Sequence, residues 1–396
     1  LWPTMKYVIC VPDGCADEPL AELDGRTPLE AAAMPNLAKL AARGEVGRAA
    51  VIPLGMPPGS DVGNMSILGY DPARYHTGRA PIEAAAMGLR LEPDEVAFRC
   101  NLVTVGGERG NGNDGLMVDF AGGHPSTEQA AEVIEALDAE LGSGAGAEVT
   151  FHPGVQYRHI LVAPESWADA DCRPPHDLTG RPAIMPSGPA ATRLIELMDA
   201  SRAVVSRFGL AANQIWLWGQ GHAPQLPSFA DASGGKTAAL CTAVDLIRGL
   251  GRLTGIEVVE VEGATGWFDT NYEGKRDAAL HSLAGGADLF LLHVEATDEA
   301  GHAGNLDEKI AALEAWDSRI LSGLVDGLDQ LGPWRLLLLP DHPTPVKLQT
   351  HTSEPVPYLL VDRDNDGPGG VYSEPGTAAA PIVPGHELLG RLLGVG

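Results

Sequence analysis

Asp13 closes the run MKYVICVPDG, and Ser60 stands in the turn PPGSDVGN. Asp298 and His302 are four apart in TDEAGHAGN, and Asp341, His342 and His351 fall within DHPTPVKLQTHT. Each has a plainer reading. An Asp after a strand is commonly a turn residue, an Asp–His pair at a helix start a cap, and a Ser after Gly and Pro an N-cap. The coincidence outweighs these. Three aspartates, three histidines and a serine all fall where a parallel sheet gathers its ligands, outside the carboxyl ends of its strands. A mixed carboxylate and imidazole set suits Mn²⁺ or Zn²⁺ and is too nitrogen-rich for Mg²⁺ or Ca²⁺ alone. Six protein ligands imply two ions, each with an open position, able to activate a hydroxyl and clamp a phosphoryl group in line. A serine needs that help, because its free hydroxyl is a weak nucleophile.

The elements that must position these residues read as alternating strands and helices. MKYVICVP is a buried parallel strand ahead of Asp13, DLFLLHV a strand ahead of Asp298, and RLLLLP a strand ahead of Asp341. Residues 27–44 read as one helix, with Thr27 as cap, Glu30 as its box partner and Gly44 as the stop. Helices are also expected at 80–88, 236–255 and 306–328, with EVVEVEG and PVPYLLV as strands and HELLGRLLG as the closing helix. From about residue 96 the texture changes. FRCNLVTV, LMVDF, EVTFHPGV and YRHILVAP are strands, with helices at 127–142 and 189–208. IWLWGQG reads as strand again, and 363–385 as a Gly/Pro-rich loop. Alternation at both ends predicts an α/β fold with a doubly wound, mainly parallel sheet core. The middle third reads as an inserted smaller α/β domain. The expected boundaries are 1–95 and 213–396 for the core and 96–212 for the insert.

Composition bounds the partners. The chain has 396 residues, 44% of them hydrophobic, and a formal charge of −26. That surface repels nucleic acid and anionic membrane, so neither is expected as a partner. It leaves an anionic substrate open, since local cations can invert the field in a pocket. The five cysteines are odd in number and form no CxxC pair, which predicts reduced thiols and a cytoplasmic setting. No leader and no run of membrane-spanning length is seen. Met5 reads as a natural start, with residues 1–4 as an addition.

At nearly full length the sequence resembles the archaeal-type, cofactor-independent phosphoglycerate mutases of the alkaline phosphatase superfamily. The resemblance runs through VPDG, PPGSD, LGYDP, TGRAPIEAAAMGL, AFRCN, YRH, GATG, TDEAGH and PDH to HTSEPVP. It implies that Ser60 accepts a phosphoryl group. It also implies two divalent ions, one on Asp13, Ser60, Asp341 and His342 and one on Asp298, His302 and His351. Mn²⁺ is the expected metal, with Zn²⁺, Co²⁺ or Mg²⁺ able to replace it and no 2,3-bisphosphoglycerate. The insert would act as a lid over a small anionic phosphate ester, and the reaction would interconvert 3-phosphoglycerate and 2-phosphoglycerate in glycolysis and gluconeogenesis. Arg79, Arg158, Lys236 and, more weakly, Arg181 would contact the substrate, although exposed cations are commonly just solvated. Asp177, Asp269 and Asn271 stand as outer positions or as plain loop and cap residues. VEATDEAGH and DHPTP also resemble a bacterial branch proposed to be homoserine kinases, which would share the serine and metals but not the acceptor. The same residues would also serve a phosphonate substrate, a plain phosphatase or a non-catalytic metal-binding protein. A sulfatase is excluded, because Ser60 lacks the downstream Pro and Arg that its modification requires.

Overall fold

The computed structural model describes residues 4–106 and 115–395, so residues 1–3 of the expected N-terminal addition lie outside it. Thirteen strands form among the described residues. They are β1 (Lys6–Pro12), β2 (Glu45–Ala50), β3 (Glu95–Gly106), β4 (Leu116–Asp119), β5 (Thr150–Val155), β6 (Arg158–Pro164), β7 (Gln214–Gly221), β8 (Ala238–Cys241), β9 (Glu257–Val258), β10 (Leu289–Val294), β11 (Trp334–Leu338), β12 (Val356–Asp362) and β13 (Ile382–Pro384). The chain divides into two compact units, one of 1–76 with 226–396 and one of 77–225.

The first unit holds an eight-stranded sheet in the order β13-β2-β12-β11-β1-β10-β8-β9. β1 lies parallel to both β10 and β11, and β10 parallel to β8; β12 alone runs against its neighbours. This is the mainly parallel α/β core that the alternating pattern predicts. β1 and β10 are buried along their whole length, which is why both read as unbroken apolar runs rather than as alternation. Val8, Cys10, Phe290, Leu292, Leu336 and Leu338 join Trp316 and Trp334 in one apolar core.

Three expected elements differ, and the first is the loop expected over 363–385, which holds a short helix, Glu374–Thr377, and β13. The helix expected over 27–44 has its Thr27–Glu30 capping box, but it ends at Ala31 and restarts as Pro35–Ala41. Pro35 has no N–H and disfavours helical backbone at Met34, which sits at φ −122° and ψ 71°. The helix expected over 236–255 is β8 followed by a helix, Asp245–Thr254. TAALC is a short apolar run of strand length, and periodicity alone does not separate the two states there.

The second unit is a five-stranded antiparallel sheet centred on β3, which pairs with β4, β6 and β7, while β5 pairs with β6. Helices Thr127–Leu141 and Ala191–Val205 supply Ile134, Leu137, Leu194 and Met198 to a core with Phe98, Leu102 and Trp216. The expected limits of 96 and 212 fall inside this unit. β7 pairs with β3 from Ala97↔Gly221 to Val103↔Gln214. Helix Arg79–Ala86 packs Ala80 and Ala84 with Ala97 and Ile160.

His159, on β6, is almost wholly buried and accepts the Gly154 N–H at Nδ1 over 2.9 Å. Burial lowers its pKa from 6.5 to about 3, so the folded state keeps it neutral. The unfolded chain binds this proton at a higher pH than the folded one. The stability it contributes is therefore complete above pH 6.5 and is lost as pH falls toward 3. At pH 5 the loss is about 2 kcal/mol. Urea midpoints between pH 7 and 5 should fall less for His159→Asn, whose amide oxygen can keep the Gly154 bond. An unchanged pH slope in that variant would contradict the assignment.

Among the described residues no helix is long and apolar enough to cross a membrane.

Candidate functional site

Three adjacent parallel strands of the first unit deliver the sequence-predicted ligands to one edge. Asp13 follows β1, the central strand of the three. β10 leads through Glu295 into helix Ala296–His302, which carries Asp298 and His302 four apart on one face. β11 leads to Asp341 and His342. Ser60 is the first residue of helix Ser60–Ile67, and Gly59 is its N-cap without a side-chain cap bond. The serine is not a cap. It is buried, with Oγ 3.2 Å from His342 Nε2. Asp298 is not a cap either, since Glu295 holds that place.

The side chains converge on two overlapping groups, Asp13 with Asp341 and His342, and Asp298 with His342 and His351. Within each group the candidate ligand atoms all lie within 4.8 Å of one another. His342 Nε2 is 3.5 Å from Asp13 Oδ1 and 3.6 Å from Asp341 Oδ2. Asp298 sits 3.3 Å from both His302 Nε2 and His351 Nε2. The division implied by the resemblance places His342 with Asp13, Ser60 and Asp341; its ring also lies against His351, at 3.8 Å between centroids, and is in reach of both groups. His302 donates from Nδ1 to the Gln349 carbonyl at 3.1 Å, which leaves Nε2 directed at Asp298 and His351.

Electrostatics fit this set to divalent cations. Burial, then the neighbouring charges of Asp341 and Asp298, holds the Asp13 carboxyl well above the usual carboxylate range. Burial also opposes ionisation of Asp341 and Asp298, but imidazoles outweigh it: His342 and His293 hold Asp341 down, and His302 and His351 hold Asp298 down. Against its own desolvation, Asp298 raises His302 to about 9. Asp13 Oδ1 is buried with no hydrogen-bond partner among the described residues. A buried, repelling carboxylate cluster with an orphaned oxygen is what a bound cation would satisfy.

The remaining expected contacts scatter. Lys236 precedes β8, at the opposite edge of the sheet, with Nζ 5.9 Å from the centroid of the Tyr7 ring. Tyr7 is six residues before Asp13 on a strand, roughly 20 Å away. The substrate contact expected of Lys236 is therefore corrected: a Gly-Gly turn marks either end of a strand alike. Arg79 and Arg158 lie in the second unit near Arg99, whose pKa burial lowers and both neighbours lower further. Arg99 is buried, pairs with Glu83 at 2.9 Å and covers the Trp218 ring at 4.4 Å. The exposed Arg181 offers its backbone carbonyl to Met117. Asp269 accepts from Thr265 at 2.8 Å and Asn271 caps helix Tyr272–Ala284, so both are loop and cap residues; Asp177 is exposed beside His176.

Several polar residues at the site lacked a separate sequence signal. Asn64, one helical turn after Ser60, donates to Ser60 O at 2.9 Å and to Asp341 Oδ2 at 2.7 Å. Thr344 donates to Asp298 Oδ1 and lies 3.2 Å from His342 Nδ1. His293 and Glu295 interrupt an apolar strand run, FLLHVE, and that interruption is a legible signal.

The first unit is an α/β fold with a mainly parallel sheet and a carboxylate–imidazole cluster at its strand ends. The model of the family described as 2,3-bisphosphoglycerate-independent phosphoglycerate mutase matches residues 41–208. A Geobacter sulfurreducens protein named "Probable 2,3-bisphosphoglycerate-independent phosphoglycerate mutase" is 45% identical over 98% of this chain and 100% of its own. Among solved structures, the PH0037 protein from Pyrococcus horikoshii matches with a TM-score of 0.78 and 27% identity over 100% of this chain and 98% of its own. The cofactor-independent phosphoglycerate mutase from Thermoplasma acidophilum matches with a TM-score of 0.61 and 25% identity over 98% and 99%. The chain belongs to the family of 2,3-bisphosphoglycerate-independent phosphoglycerate mutases, which are isomerases.

Proposed function

We propose that this chain interconverts 3-phosphoglycerate and 2-phosphoglycerate by metal-dependent phosphoryl transfer through Ser60, without 2,3-bisphosphoglycerate. The observation that carries this is the Ser60 hydroxyl, buried at a helix start and 3.2 Å from His342 beside the carboxylate cluster. The names of the relatives support the substrate.

Asp13, Ser60, Asp341 and His342 would hold one divalent ion and Asp298, His302 and His351 the other, with His342 in reach of both groups. Such ions, Mn²⁺ by ligand type, supply Lewis acidity and positive charge for a phosphoryl group when bound. The chain supplies the rest. Asn64 ties Ser60 to Asp341, and Thr344 ties Asp298 to the His342 loop. The first-turn N–H groups of helix Ser60–Ile67 favour an anion beside the serine. The Ser60 oxygen forms a bond to phosphorus as the substrate's ester oxygen leaves and takes up a proton. The glycerate then turns, and its other hydroxyl recovers the phosphoryl group as Ser60 regains its proton. Arg79 and Arg158 are the cations we assign to the substrate's acid groups. All five cysteines are free thiols, which supports a reducing cytoplasmic setting for a glycolytic enzyme.

The test is phosphorus NMR of the Mn²⁺-loaded protein with 3-phosphoglycerate alone, with homoserine and ATP, and with simple phosphate esters. The expected result is 2-phosphoglycerate from the first mixture only. Phosphohomoserine from the second, with no isomer from the first, would overturn the proposal.

A further inference from the structure

Behind Asp13 runs a buried polar chain that the phosphoryl chemistry does not call on. Lys275 is fully buried, and its Nζ donates to Glu295 Oε2 at 2.5 Å and to the His293 carbonyl at 2.7 Å. Glu295 Oε1 accepts from the Ala243 N–H at 2.6 Å and the Thr242 hydroxyl at 3.1 Å, and it faces His293 Nδ1 at 3.1 Å. The other ring nitrogen, His293 Nε2, is buried without a hydrogen-bond partner among the described residues. It lies 3.3 Å from Asp13 Oδ2 and 3.8 Å from Asp341 Oδ2.

Packing does not explain these groups. β10 is otherwise apolar, and a leucine at 293 would fill a central buried strand without desolvating a charge. Buried ion pairs often add nothing to stability over apolar residues of the same volume, so their retention points to what they orient. The imidazole is held at Nδ1 by a carboxylate that Lys275, Thr242 and the Ala243 N–H fix in turn. Its free nitrogen is thereby aimed at the two carboxylates of one candidate metal group. We propose that Lys275, Glu295 and His293 form a positioning relay that holds Asp13 and Asp341 in place for the ion assigned to them. The relay rests on the metal reading above. Outer partners of this kind typically change metal affinity 10- to 100-fold when removed.

The test uses the purified, metal-stripped full chain titrated with Mn²⁺, with free aquo ion counted by its EPR signal. Wild type should bind two ions. His293→Leu should weaken one of them 10- to 100-fold and leave the other, and the metal-free circular dichroism, unchanged. His293→Gln, whose amide can reach Asp13 as Nε2 does, should recover most of that affinity. A merely structural histidine predicts wild-type Mn²⁺ binding in both variants, and that result overturns the relay while leaving the metal reading intact. Wild type that binds no Mn²⁺ overturns both. If His293→Leu does not fold, Glu295→Gln is read in the same way: weakened binding of one ion supports the relay, and unchanged binding overturns it.

Discussion

Ser60→Ala is expected to lower turnover of 3-phosphoglycerate on the order of 10⁴-fold or more, as nucleophile removal does in other covalent mechanisms. The hydroxyl is the group we assign to hold the phosphoryl between its two positions on the glycerate. The fold should survive. Gly59 holds the N-cap position, so no cap is lost, and the one polar contact removed is the 3.2 Å approach to His342. Losing such a contact costs about 1 kcal/mol. Metal binding should largely persist, because Asp13, Asp341 and His342 still form a group and Asp298, His342 and His351 are untouched. Three measurements are needed together: turnover, bound Mn²⁺ and melting temperature. Near-native turnover in a folded, metal-loaded variant would rule out a phosphoserine, and direct transfer would take its place.

The sequence pointed to the candidate ligands more directly than to the unit boundaries. Asp13, Asp298 and Asp341 were legible because each follows within four residues an apolar run that reads as a buried strand, and parallel strands deliver their carboxyl ends to one edge. The structure gives those strands as neighbours, with β1 between β10 and β11. What no spacing could show is how the two ligand groups overlap. His342 and His351 are nine apart in sequence, yet their rings stack, because the loop between them folds back toward Asp298. The expected domain limits of 96 and 212 lie inside the second unit for a related reason. β7 is an apolar strand that could join either sheet, and its pairing with β3 is a long-range choice that local pattern does not encode. Lys236 and Arg99 make the same point from opposite sides. Lys236 follows a conspicuous turn and lies at the wrong edge. Arg99 hides in an apolar strand, and its burial against Trp218 beside Arg79 and Arg158 shows it only in three dimensions. Lys275 had no signal at all, being one charge among several on its helix.

His342→Ala is expected to weaken the ion assigned to Asp13, Ser60, Asp341 and His342. Asp13 and Asp341 fall in one candidate group and His351 in the other; His342 is in reach of both, but Nε2 is its one ring nitrogen facing them and can bind a single ion. If two ions occupy these groups, Asp13→Asn should weaken one ion and His351→Ala the other, each leaving one ion bound. His342→Ala should weaken the same ion as Asp13→Asn and leave the other bound, and turnover should fall toward the level of the chelator-treated protein. Chelation itself should remove activity reversibly, with Mn²⁺ restoring it. It should also lower the melting temperature of wild type. The stripped site leaves the buried carboxylates of Asp13 and Asp341 facing one another, whereas an ion at a hundred times its Kd stabilises the folded state by about 2.7 kcal/mol. Metal-dependent stabilisation should therefore shrink in both Asp13→Asn and His342→Ala, even though neither change removes apolar core. Isothermal titration with Mn²⁺ and melting curves with and without chelator measure all of this on the same samples. If His342→Ala bound both ions at wild-type affinity, or lost the ion that His351→Ala weakens instead, the division with Asp13, Ser60, Asp341 and His342 on one side and Asp298, His302 and His351 on the other would be wrong.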